Sequence, residues 1–68
     1  MKVRCLDNKI ALLPDETGEF RFVRVEEPSP DLVLGKEYEV LAEEHGMYRI
    51  KDESGEAYLY PIELFELS

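Results

Sequence analysis

The 68-residue chain carries 8 basic and 16 acidic side chains, for a net charge of -8, and 44% of its residues are hydrophobic. That is enough apolar material for one small core and too little chain for two, so a single domain over residues 1–68 is expected and a disordered chain is not. The acidic balance argues against direct nucleic-acid binding, which rests on Lys and Arg neutralising phosphates, and against an anionic membrane surface for the same reason.

The charge has two readings. It keeps a small β-protein soluble, or it faces a basic partner surface. The single cysteine, Cys5, forbids an internal disulfide and suits a reducing compartment. Met1 opens into a charged, alternating stretch with no apolar signal region, and no run approaches the ~18 apolar residues of a membrane span. A complete cytoplasmic protein is the expectation.

Lys2 to Leu6 alternates polar and apolar, which places Val3 and Cys5 on the inner face of a first strand. Asp7-Asn8 reads as a turn. Ile10 to Leu13 is a continuous apolar run that periodicity alone assigns to neither strand nor helix. Pro14 ends it, and Asp15-Glu16-Thr17-Gly18 supplies a turn with a glycine for positive φ. Residues 9–25 therefore read as an extra hairpin with a return strand from Glu19 to Val25, or as an irregular enlarged loop. Glu26 to Asp31 holds two prolines and three acids and reads as a stiff exposed loop, a connector or a functional one.

From Lys36 the alternation is regular. Tyr38, Val40 and Ala42 fall on one face of a strand, Glu37, Glu39 and Leu41 on the other. Glu43 to Gly46 connects to Met47–Lys51, with Tyr48 and Ile50 inward and Met47, Arg49 and Lys51 outward. Asp52-Glu53-Ser54-Gly55 turns the chain into Ala57–Tyr60. It repeats the chemistry of the turn at 15–18, by internal duplication or by recurrence of a favoured turn. Pro61 lacks the N–H a ladder needs, residues 61–64 suit one 3-10 turn, and Phe65–Leu67 suits a last short strand beside the first. No amphipathic pattern supports an α-helix of more than two turns. In the strand 57–60, Tyr58 and Tyr60 share one parity and Ala57 and Leu59 the other. Either pair can face the core. If Leu59 faces in, both tyrosines are exposed.

The segment Leu32-Val33-Leu34-Gly35-Lys36-Glu37-Tyr38-Glu39-Val40-Leu41, the acidic connection Glu44-His45-Gly46 before Met47-Tyr48-Arg49-Ile50, and the ending Tyr60-Pro61 with Leu64-Phe65 together resemble a Src-homology-3 (SH3) barrel. The start Lys2–Asn8 and the Tyr-Leu-Tyr-Pro ending are also similar to small uncharacterised SH3-like proteins of Firmicutes and their phages. The resemblance implies an all-β fold, a small SH3-like barrel of five to seven short antiparallel strands, with residues 9–25 as an enlarged first loop. Met47 stands where the family's groove tryptophan would be and Leu64 where its 3-10 tyrosine would be. Pro61 keeps a groove position. Glu26, Glu27 and Asp31 resemble the first-loop acids that pair with a basic ligand residue.

The chain offers no regular metal-ligand spacing, no glycine-rich phosphate loop and no second thiol or imidazole beside Cys5 and His45. No enzyme, metal or cofactor is expected. Three functions compete. One is a non-catalytic SH3-like module that binds a protein partner through Met47, Tyr58, Tyr60 and Pro61, opposite Glu26, Glu27 and Asp31. Another is an acidic phage-type decoy that occupies a basic nucleic-acid-binding surface, which requires a stripe of acids. The last is a structural homo-oligomer that pairs strand edges through the 9–25 hairpin. A monomer or weak homodimer fits the first two.

Overall fold

The computed structural model describes residues 1–68. It is all-β, with strands β1 (Lys2–Cys5), β2 (Ile10–Pro14), β3 (Phe20–Arg24), β4 (Glu37–Glu44), β5 (Met47–Lys51), β6 (Ala57–Pro61) and β7 (Phe65–Leu67), and a 3-10 turn at Ile62–Leu64. The strands form two antiparallel sheets. One has the order β6-β5-β4-β1-β7, and the other is the β2–β3 hairpin. No helix is long and apolar enough to cross a membrane.

β1 lies between β4 and β7, pairing Val3 with Tyr38 on one side and with Leu67 on the other. A strand bonded along both edges buries its inward residues fully, and Val3 and Cys5 are buried as their alternation predicts. Ile50 on β5, Tyr38 on β4 and Leu32 from the preceding loop fill the centre. Complete burial of an aliphatic side chain such as Val3, Leu32 or Ile50 stabilises by about 1.5–3 kcal/mol each. Phe65 on β7 packs at a tilt against Tyr48 and edge-on against Tyr60, at ring-centroid distances of 6.2 and 6.3 Å, so the far strand of the sheet curls back towards β5 and β6. β6 and β7 remain the two edges of the sheet. The 3-10 turn, rather than a ladder, carries the chain from one to the other.

The two glycine turns are built alike. Asp15 Oδ1 accepts the Thr17 N–H at 2.8 Å, and the Gly18 N–H reaches the Asp15 carbonyl at 3.0 Å. Asp52 Oδ1 accepts the Ser54 N–H at 2.9 Å, and the Gly55 N–H reaches the Asp52 carbonyl at 3.1 Å. Gly18 and Gly55 have φ of 86° and 87°, the left-handed conformation that closes a three-residue hairpin loop with a glycine bulge. One turn serves each sheet, and both use the same Asx-plus-glycine chemistry.

The structure corrects the reading of β4. The strand runs on to Glu44, so the connection to β5 is only His45-Gly46. Their φ values of 53° and 72° mark the tight turn that matches strand twist. The register shifts between Val40 and Ala42, with Leu41 as the extra residue. A bulge bends its strand and tightens the local twist. Tyr38 is buried, Val40 and Ala42 are half-buried and Leu41 is exposed, as the alternation predicts, while the shift sets Ala42 opposite Arg49.

Asn8 fastens the 26–34 loop to this frame. Its side-chain N–H donates to the Leu32 carbonyl at 2.7 Å and its own carbonyl accepts the Ser29 N–H at 2.7 Å. Residues 9–25 form the hairpin, not an irregular loop, with Ile10 opposite Arg24 and Pro14 opposite Phe20. By that register Ile10, Leu12, Pro14, Phe20 and Phe22 share one face. Ile10 belongs to the core and Phe22 packs on it, while Leu12 and Phe20 overhang into solvent.

Candidate functional site

The principal concavity, about 510 Å³, lies between the hairpin and β6. Ile10, Ala11, Leu12 and Phe22 make one wall, and Ala57 to Tyr60 make the other. Met47 and Arg49 extend the second wall, and Ser29 and Asp31 close one end. Three or four consecutive residues line it from each strand. Successive side chains of a strand point to opposite faces, so such a run includes the strand's edge, and Met47 and Arg49 carry the groove onto the Leu59 face of β5.

The edges are unpaired there. β6 ends the large sheet, and β2 bonds only to β3. The ladder parity identifies the outward groups. The Asp52 N–H donates to the Glu56 carbonyl at 3.2 Å, which makes that pair hydrogen-bonded. Alternation along the antiparallel ladder then turns Tyr58 and Tyr60 towards β5 and leaves the N–H and C=O of Ala57 and Leu59 on the free edge. Pro61 has the same outward parity and has no N–H to lose, the usual place for proline on an edge. On the hairpin, the Asp15 N–H to Glu19 carbonyl bond at 2.8 Å and the Val25 N–H to Lys9 carbonyl bond at 3.0 Å fix the same alternation. They leave Ile10 and Leu12 with outward backbone groups.

Tyr58 and Tyr60 share a face, yet Tyr60 is 7% exposed and Tyr58 48%. Tyr60 lies opposite Tyr48, with its ring 6.2 Å from Phe22 of the hairpin, and it still lines the groove. The reading that exposes both tyrosines is therefore corrected: hairpin cover, not strand parity, separates them. The Tyr60 hydroxyl donates to Asp52 Oδ2 at 2.5 Å, and burial, then this carboxylate, push its pKa well above the ordinary tyrosine value. Tyr38 is held in the same manner. Its hydroxyl donates to Glu53 at 2.7 Å and accepts the Val33 N–H at 2.8 Å, and burial raises it to about 12. The Tyr58 hydroxyl donates to Glu56 at 2.6 Å, and that bond raises it too.

Of the seven expected binding residues, the groove brings together Asp31, Met47, Tyr58 and Tyr60. Pro61 is half-buried opposite Met47, at the end of β6 and outside the lining. Glu26 and Glu27 are exposed and line a neighbouring depression that shares Ile10, Ala11 and Ser29 with the groove. The hairpin wall is the part that sequence reading missed. Its signal was the unbroken apolar run Ile10–Leu13, which has more apolar faces than a hairpin alone can bury.

Charge at the groove is lopsided. Arg49 is its one basic residue, and its guanidinium is held by Glu44 at 2.6 Å. Asp31 has no ion-pair partner, and its carboxylate adds to the upward push on both Tyr58 and Tyr60. Elsewhere six acids, Asp7, Asp15, Glu37, Glu39, Glu44 and Glu53, are taken up by ion pairs spread over the hairpin, β4 and the turn after β5. Cys5 is buried and burial pushes its thiol up, while His45 sits exposed in its turn. No cluster of three His, Cys, Asp or Glu side chains is placed to hold a metal.

The class these features define is a small all-β protein with a strand-lined groove. No protein-family model matches the chain, and neither a curated protein nor a solved structure matches it.

Proposed function

We propose that the chain is a non-catalytic, SH3-like interaction module that binds a basic segment of a protein partner in the groove between the hairpin and β6. Support for the SH3-like part is the meander β4–β5–β6, then Pro61, a one-turn 3-10 segment and a short last strand beside the first. The observation that carries the binding part is the groove itself. It is an apolar slot with exposed Tyr58 on one wall, an unpaired Asp31 at one end, and no free cation. A ligand with apolar side chains and lysine or arginine complements it. The net charge of -8 steers such a ligand and repels acidic ones.

The test is an NMR titration of the isotope-labelled protein with an alternating lysine–valine peptide of seven residues, and with its glutamate–valine counterpart. The lysine peptide is expected to shift the resonances of Leu12, Met47 and Tyr58, more weakly as salt rises. Asp31→Asn is expected to weaken binding several-fold. Equal response to both peptides, or shifts confined to β1 and β7, would overturn the proposal.

A further inference from the structure

Resting on that reading of the groove, we infer that the ligand binds as an added β-strand, hydrogen-bonded to the free edge of β6 and covered by the hairpin. Three observations converge. The outward N–H and C=O groups of Ala57 and Leu59 border the groove and have no strand partner. Across it, β2 presents the outward backbone groups of Ile10 and Leu12. A strand added to β6 satisfies the row on that edge, whereas a ligand held only by side chains leaves it to water. The hairpin also overhangs. Ile10 and Phe22 rest on the core, but Leu12 and Phe20 of the same face have nothing beneath them. Apolar side chains of an added strand that project to that side cover Leu12.

The occupant is an extended segment with alternating basic and apolar residues. Alternation follows from strand addition, since successive side chains go to opposite sides. One set meets Phe22, Leu12 and Tyr58, and the other meets solvent, Asp31 and the acids of the adjoining depression. A second copy of this chain is a poor occupant because two bodies of charge -8 repel.

The experiment compares the lysine–valine peptide with a version whose central amides are N-methylated, and follows amide exchange of Ala57 and Leu59. Strand addition predicts that methylation weakens binding by about ten-fold or more, the loss of about two backbone hydrogen bonds. It also predicts that the Ala57 and Leu59 amides slow in exchange by about ten-fold or more at saturation. Tyr58 and Tyr60, already bonded to β5, change less. Leu59→Pro removes one outward N–H without touching the β5 ladder and is expected to weaken binding more than Leu59→Ala. If the methylated peptide binds equally and still shifts Met47 and Tyr58, the groove reading stands and strand addition falls. If neither peptide binds, both fall. If Ala57 and Leu59 become protected on raising protein concentration without peptide, a second copy fills the edge and the inference is overturned.

Discussion

Tyr60→Phe removes one hydroxyl and leaves the ring against Phe22 and Phe65. The hydroxyl donates to Asp52 Oδ2 at 2.5 Å in a buried setting, and the Ser54 hydroxyl and N–H bind the other oxygen. Hydrogen bonds to charged groups contribute about 1.5–3 kcal/mol, and the Ser54 bonds that remain place this loss near the lower end, about 1.5–2 kcal/mol. For a domain of this size each 1 kcal/mol lowers Tm by about 4–8 °C, so the variant should melt roughly 6–16 °C lower at neutral pH. The pH dependence supplies a second, independent check. Burial pushes the Asp52 carboxyl up, but the bonds from Ser54 and Tyr60 outweigh it and hold the group below the usual carboxylate range. A depressed folded-state pKa contributes stability above the unfolded value of about 3.9 and loses it as pH falls through the folded value. Wild type and variant should therefore converge in acid. Thermal unfolding by circular dichroism at a series of pH values measures both effects. Melting within about 2 °C of wild type, or a gap unchanged down to about pH 2, would refute the assignment of this hydroxyl to Asp52.

Other substitutions test the frame around the groove. Leu32→Ala empties a site that is almost fully shielded and should cost about 2–5 kcal/mol in urea unfolding, a large part of such a domain's stability. Gly55→Ala should cost about 1–2 kcal/mol because its φ of 87° is left-handed, although a Cβ there meets no neighbour. Leu41→Ser, at the exposed bulge, should change stability by less than about 0.5 kcal/mol, and a larger loss would mean that the bulge packs more tightly than described.

Much of the fold was legible in the sequence because its turns are chemically loud. Asp15–Gly18 and Asp52–Gly55 each combine an Asx cap with a positive-φ glycine, and His45-Gly46 closes a two-residue loop. Strand alternation then placed Val3, Cys5, Tyr38 and Ile50 inward. What was illegible depended on tertiary placement. A bulge at Leu41 leaves no local mark beyond one exposed leucine, yet it shifts the register so that Ala42 lies opposite Arg49. Parity puts Tyr58 and Tyr60 on one face but cannot tell that the hairpin covers only one of them. The groove joins Leu12 to Leu59 across two separate sheets, a juxtaposition that neither stretch encodes alone.

The most direct test of ligand binding at the β6 edge is a set of intermolecular nuclear Overhauser effects between the labelled protein and the unlabelled lysine–valine peptide. Contacts from the Leu59 amide to peptide α-protons, together with contacts from Leu12 and Phe22 to peptide valine methyls, are the predicted result. Peptide contacts that avoid β6 and fall on the solvent face of β4 and β1 would contradict it.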